Sequence, residues 1–267
     1  MRKAILNEFI FFDVGHIEFC SQVVNYFWPM PSQNRSRGKV ANDNKLFAEK
    51  KQVENILDAV MDLSYLMQRG FAEKSAIQLV GNRYRLNVRQ QKAVQGICAS
   101  DDQVQLRLSK ELSNLKGKTL AIDGFNLIII LESALSQAFI FKGMDGCYRD
   151  LSGVHGTYKR IQFTEQILVL VGEKLKQLGV VEAIWLLDKP ISNSGRLKQL
   201  ILEIANQNNF NWQVELVYSP DKELAVTEHV VVSSDAWILD QCTCWFNLAP
   251  KVLENYKIEL FGFTQQE

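Results

Sequence analysis

Four segments in the second half of the chain share one form, an apolar, β-rich run that stops at or just beyond an aspartate: TLAIDG, EAIWLLDK, VELVYSPD and HVVVSSD, ending at Asp123, Asp188, Asp221 and Asp235. Near-continuous apolar runs suit strands buried in a parallel sheet, and the helical patterns between them predict a doubly wound α/β layer. In such a sheet, ligands bind in the crevice outside the carboxyl ends of the strands. Asp123, Asp188 and Asp235 follow almost wholly apolar residues, which fixes them at one rim. Asp221 follows a proline and reads as a loop residue. Helix capping explains any one of these aspartates taken singly. As a group they outline a divalent-metal phosphodiester hydrolase, because clustered carboxylates repel unless a cation sits among them.

The first half reads differently. Val53, Ile56, Leu57, Val60, Leu63 and Met67 recur at helical spacing from Glu49, with Gly70 as a stop. Further helices are expected from Glu73 to Val80 with a stop at Gly81, after Asn87, and from about Ser100 to Leu115. Residues 49–116 thus form a small helical domain. An N-terminal extension and linker (residues 1–48, including PMPSQNRSRGKVANDNK) precedes it, and an α/β domain (117–267) follows. Within that last part, NLIIILESAL reads as a buried helix and FIFK and CYRD as a short excursion. Helices over 164–178 and SGRLKQLILEIANQN continue the alternation, and HVVVSSD, a helix over 236–240, CWFNL and a helical PKVLENY complete it.

Composition narrows the class. Hydrophobic residues make up 47%, ample for packed cores, and the net charge is zero but divided. Residues 1–117 carry 17 Lys/Arg and 12 Asp/Glu, whereas residues 118–267 carry 13 and 18. A basic part beside an acidic one suits a polyanion-gripping module next to a metal-holding one, although solvation alone accounts for a difference of this size. Five cysteines at no framework spacing point to reduced thiols in a cytoplasm. Glu8 and Asp13 interrupt the opening apolar run, unlike a signal peptide, and no stretch approaches a membrane span. A cytoplasmic chain with no membrane partner is expected, and a homo-oligomer is compatible with it. His16, His155 and His229 show no ligand spacing. Walker, dinucleotide-fingerprint and nucleophile-elbow motifs are missing.

The chemistry suggested is therefore that of Mg²⁺ or Mn²⁺, which take oxygen ligands and commonly use one or two carboxylates, waters and substrate phosphate oxygens. Asn126, in DGFN, places an amide where it could hold a phosphate or a ligand water, or cap a helix. MDGCYRD supplies Asp145, Arg149 and Asp150, a further metal and phosphate shell or a solvated loop. Ser192 and Ser194, in DKPISNSG, lead into a helix whose first amides suit a phosphate. In the basic front, Arg83, Arg85, Arg89 and Lys92 surround Tyr84, a pairing of charge and stacking surface typical of single-stranded nucleic-acid binding and equally of a charged helix face.

Several of these stretches together resemble one prokaryotic family, the domain of unknown function 434 family. They are LMQRGF with AIQLVGNRYRL, then IDGFNLIIILESAL, MDGCYRDLSGVHGTY, DKPISNSGRL and SSDAWILD, spanning most of residues 50–245. The resemblance implies a helical domain followed by a three-layer α/β/α PIN-like or NYN-like domain, with acidic residues holding Mg²⁺ or Mn²⁺ for ribonuclease action. By motif position Asp123 resembles the first-strand aspartate, Asp235 the late-strand one and Asp188 a middle one. Asp145 and Asp150 match this family's own pattern. The leading expectation is a metal-dependent ribonuclease acting on single-stranded RNA, with Asp123, Asp188 and Asp235 as ligands, Asp150 or Asp145 completing the shell and Arg149 on phosphate. The alternatives are a non-catalytic RNA-binding or regulatory module and a small-molecule phosphatase. The last is disfavoured because no aspartate-x-aspartate pattern follows the first strand.

Overall fold

Alternation along three strands decides the architecture. In a computed structural model that describes residues 37–152 and 156–263, Leu120, Ile122, Ala183, Trp185, Leu187, Val230 and Val232 point into one apolar core. Ala121, Leu186 and Val231, the residues between them, point into another. A sheet buried on both faces must be covered on both, and it is. Residues 1–36, which include His16, Cys20 and most of the expected extension, and the loop position of His155 lie outside the described residues.

In chain order the helical part comprises α1 (Asp43–Phe47), α2 (Lys50–Gln68), α3 (Glu73–Arg83), α4 (Val88–Ile97) and α5 (Asp101–Lys110). The α/β part follows as β1 (Thr119–Asp123), α6 (Gly124–Leu135), β2 (Phe139–Lys142), β3 (Tyr148–Arg149), α7 (Thr164–Gln177), β4 (Glu182–Asp188), α8 (Ser194–Asn208) and β5 (Trp212–Val217). It closes with α9 (Pro220–Val226), β6 (Val230–Val232), α10 (Ala236–Gln241), α11 (Leu248–Val252) and β7 (Glu259–Gly262). The main sheet has the order β5-β4-β1-β6 and is parallel throughout, with Asp123 in register with Leu186 and Asp188 with Val217. Residues of α6, α7, α8 and α11 fill the core on one face, and α9 and α10 with Trp245 fill the other. The protein is thus a three-layer α/β fold on a mainly parallel sheet, preceded by helices.

A second sheet, β3-β2-β7, joins the two parts. Its Phe141 and Phe261 are buried in the core of α1 to α4, where the Phe47 ring lies 5.1 Å from Phe141 and 6.1 Å from Phe261. Capping boxes start two helices: Asn87 with Gln90 for α4 and Ser100 with Gln103 for α5.

Several sequence expectations are revised. The end of the stretch read as linker holds α1, anchored by the buried Phe47 and by Asp43, which pairs with Arg89 at 2.6 Å. Helix α3 runs through Gly81 to Arg83, because Gly81 gives Gln91 room: a Cβ there would come within 2.8 Å of its amide. Helix α5 stops at Lys110, after which Glu111 bridges to Trp245. CWFNL forms no strand beyond the isolated bridges of Trp245. Asp221 lies in the first turn of α9, which Pro220 opens, rather than in a loop.

Candidate active site at the carboxyl ends of the parallel strands

With the order β5-β4-β1-β6, the chain leaves β1 toward β4 and β5 and later returns to the opposite side of β1 as β6. The direction of the crossovers therefore reverses between β1 and β6, and the crevice above their carboxyl ends is where this class of sheet binds ligands. Two hydrogen-bonded pairs span that crevice. Ser233 Oγ donates to Asp123 Oδ2 at 2.8 Å, and Asn126 Oδ1 accepts from both the amide and the hydroxyl of Ser234 at 3.0 Å. The Asp235 amide in turn donates to Ser233 Oγ at 3.0 Å.

Asp123 sits at the N-cap of α6 but makes no side-chain capping bond there. The residue is only 8% exposed, and its carboxyl is pushed up to about 7. Burial is the largest cause, and Asp221 and Asp235 push in the same direction while the Ser233 hydrogen bond opposes them. Asp235 does cap: its Oδ1 accepts from the amides of Trp237 at 2.8 Å and Ile238 at 3.1 Å, leaving Oδ2 without a protein partner among the described residues. Half-buried Asp188 is raised by burial and then by Asp221, and exposed Asp221 by burial and then by Asp235. Asp221 thus acts on both Asp123 and Asp188, and Asp235 on Asp123 and Asp221, although the segments lie up to 112 residues apart, Asp123 to Asp235.

The sequence supports this arrangement locally. Helix α6 must start tight against β4, and Gly124 permits it, since a Cβ there would meet Leu187 Cδ2 at 2.5 Å and the Leu186 carbonyl at 3.1 Å. Tyr218, just past β5, is 75% exposed with Lys189 Nζ 4.7 Å from its ring centre, and Trp237, two residues past Asp235, is 50% exposed. They follow the two edge strands of the main sheet, β5 and β6. Sequence reasoning did not single out Ser233, Ser234, Tyr218 or Trp237. The SSD triplet was the available signal for the serines.

Other expected site residues have protein partners. Buried Asp145 accepts from Arg107 at 2.7 Å and from Arg149 at 2.9 and 2.6 Å, as well as from the Cys147 amide. Burial alone would raise its pKa, but the two guanidiniums hold it at about 2. Arg149, expected on phosphate, also donates Nε to the Ser234 carbonyl and Nη1 to that of Gly96, so all three of its nitrogens face protein acceptors. Asp150 accepts from the Ser152 amide and the Ser133 hydroxyl. Ser192 is held by a bridge to Thr157, and Ser194 turns its hydroxyl toward the Lys189 carbonyl. In the helical part, Arg89 clamps Asp43 and the Gly38 carbonyl. Arg83 pairs with Asp62 at 3.3 Å and lies over the Tyr84 ring, while Arg85 is exposed with φ +53.

The rim offers carboxylate, hydroxyl and amide oxygens, a donor set suited to Mg²⁺ or Mn²⁺ rather than to thiolate-seeking metals. Among the described residues no group of three or more His, Cys, Asp or Glu is assembled closely enough to hold an ion by itself. One or two carboxylates with waters is therefore the arrangement that fits. His229 precedes β6, at the opposite edge of the sheet, and the Cys98, Cys147 and Cys242 thiols are buried.

A parallel α/β sheet with coupled carboxylates at its switch point defines a class, the open-sheet α/β proteins whose ligand site lies at the strand ends. Within it, the chain belongs to the family described as "Domain of unknown function (DUF5616)", matched over residues 112–251, with "Protein of unknown function (DUF434)" matched over residues 55–110. The uncharacterized protein MJ0935 of Methanocaldococcus jannaschii is 34% identical over 187 residues, which cover 69% of this chain and 89% of that protein. No solved structure matches the chain. Among the described residues, no helix is long and apolar enough to cross a membrane.

Proposed function

We propose that the protein is a metal-dependent, PIN-like ribonuclease whose active site is the rim formed by Asp123, Asp188, Asp221 and Asp235. The observation that carries this reading is Asp123 itself: a nearly buried carboxyl at the switch point, raised first by burial and further by two neighbouring acids, against hydrogen bonds from Ser233 and the Asn126 amide. Buried Asp145 looks different. Asp145 is saturated by arginines and held low. A group kept half-ionised near neutral pH beside other acids suits cation binding or proton transfer.

Asp123 and the free Oδ2 of Asp235 would hold Mg²⁺ or Mn²⁺, with Asp188 and Asp221 flanking. A bound ion would polarise the phosphate and acidify a water. Ser233 fixes the orientation of the Asp123 carboxylate, and Asn126, its oxygen locked by Ser234, keeps its amide nitrogen available as a donor to phosphate. Exposed Tyr218 and Trp237 supply stacking faces for unpaired bases, which supports single-stranded RNA as substrate.

The test is cleavage of single-stranded RNA with Mn²⁺ or Mg²⁺. Asp123→Asn, Asp188→Asn and Asp235→Asn should each lose at least about 100-fold in rate while remaining folded. Asparagine is itself a good cap, so a loss at 235 would not reflect an unravelled α10. Full activity in all three variants would refute the assignment. A second reading, a non-catalytic RNA-binding protein, is favoured by the lack of a preassembled set of three ligands among the described residues. Calorimetry with Mn²⁺ separates the two, because only the first requires the rim to bind the ion.

A further inference from the structure

A cavity of about 360 Å³ opens between the segment holding Tyr158, Lys159 and Arg160 and the first turns of α8, where Asn193 and Arg196 line it over a floor of Leu197 and Leu200. Its walls are tied together. The Ser192 amide donates to the Gly156 carbonyl, the Tyr158 amide to the Ser192 carbonyl, and Asn193 Nδ2 to the Tyr158 carbonyl at 2.9 Å. The Tyr158 hydroxyl donates to buried Glu132 at 2.6 Å, and its ring packs 5.4 Å from Phe125, two residues beyond Asp123.

Charge at this cavity is unbalanced. Arg160 is paired with Glu165, but Lys159 and Arg196 have no carboxylate partner among the described residues, and Arg196 reaches only the Asn193 side-chain oxygen at 3.5 Å. The start of α8 adds to the excess. Its N-cap Asn193 is left-handed, with φ 72, and makes no side-chain capping bond, so beyond the Ser194 amide, which donates to the Ile191 carbonyl, the positive end of a 15-residue helix lies here without a side-chain cap. A side chain at Gly195 would meet nothing within 4 Å, so the backbone there is approachable. Two unpaired cations and an uncapped helix start in a preformed cavity are a receptor for an anion with several acceptor oxygens.

We infer that this cavity binds a backbone phosphate of a single-stranded nucleic acid, a few nucleotides from the bond held at the carboxylate rim. Helix α8 starts six residues after Asp188, so the cavity lies at the same edge of the sheet as the rim. The inference rests on the ribonuclease reading for its choice of ligand, and it deepens that reading by separating grip from chemistry. Positive charge at the rim itself would compete with the cation, whereas a subsite one turn into α8 holds the strand without touching the acids.

The experiment is equilibrium binding of a fluorescent oligouridylate of about 12 nucleotides to the full chain in EDTA, across a salt series. Lys159→Glu with Arg196→Glu should weaken binding at least about 10-fold and flatten the slope of log affinity against log salt by about 1.4, the loss of two single-strand phosphate contacts. The milder Lys159→Gln with Arg196→Gln should show the same slope change, with an unaltered melting temperature in both variants. Wild-type affinity in both variants overturns the subsite even if the protein cleaves RNA. Weakened binding by the variants without any cleavage by the wild type keeps the subsite and removes the ribonuclease reading. Stabilisation by inorganic pyrophosphate with no oligonucleotide binding would reassign the cavity to a small anion and overturn the inference.

Discussion

At the residue scale, Asp123 carries the most consequence. Its folded pKa of about 7 lies above the ordinary carboxyl value, so the native state keeps a proton that the unfolded chain gives up above about pH 4. Native stability from this group therefore falls as pH rises from about 4 to 7, and the full cost remains above that window. Asp123→Asn should stabilise the metal-free protein at pH 8, by up to roughly 4 kcal/mol. The gap should close near pH 4, as read from urea unfolding at the two pH values. Ser233→Ala removes the one side chain that favours the ionised form. It should move the Asp123 titration, followed by carboxyl NMR, to higher pH. The aspartates also show why the sequence could not rank them: each ends an apolar run, yet Asp235 caps its helix with two well-formed hydrogen bonds while Asp123 makes none of capping geometry and turns to Ser233. Both geometries satisfy the same pattern.

At the scale of elements, close approach outranks local propensity. Gly172 lies inside α7, where alanine would ordinarily gain about 1 kcal/mol. A Cβ there would come within 2.1 to 2.5 Å of the Phe210 ring, which is itself held by Trp212 at 4.9 Å and covered by Lys176. Overpacking a held ring costs about 1–3 kcal/mol, so Gly172→Ala should lower the melting temperature despite its better helix propensity. The same logic explains α3, where the glycine read as a stop is a place of contact with Gln91. The helices α2, α6, α7 and α8 were legible because apolar residues recur at helical spacing or fill a buried run. CWFNL pairs only through isolated bridges of Trp245, because an apolar run bounded by turns states burial, and burial alone does not say whether neighbours will pair along its length.

At the scale of the whole molecule, one buried network ties the helical part to the sheet. Arg107 of α5 donates Nε to Asp240 of α10 at 2.6 Å and Nη1 to Asp145 at 2.7 Å, and Arg149 completes it from β3. Asp145 is buried at 1% exposure, so deleting its charge leaves Arg149 without a carboxylate partner among the described residues and Arg107 with Asp240 alone. Asp145→Ala should cost about 3–5 kcal/mol in urea unfolding, whereas Asp188→Asn, which relieves repulsion at the rim, should cost nothing. Because the folded pKa of Asp145 is depressed to about 2, its contribution is present above about pH 4 and is lost as pH falls toward 2. The MDGCYRD motif was visible in the sequence. Its arginine partner 38 residues upstream was not.

The sequence by itself determined the alternation of strands and helices and the placement of Asp123, Asp188 and Asp235 at the carboxyl ends of buried strands, because periodicity and apolar runs are local properties of a chain. Tertiary structure alone decided which carboxyls remain open to a ligand and which are closed by arginines. It also brought Asp221 beside Asp123 and Asp188 through α9 and gathered Lys159, Arg160 and Arg196 around a cavity at the start of α8. A carboxylate's chemistry is fixed by the charges and donors within a few ångströms of it, and those come from segments whose distance along the chain carries no trace of their distance in space.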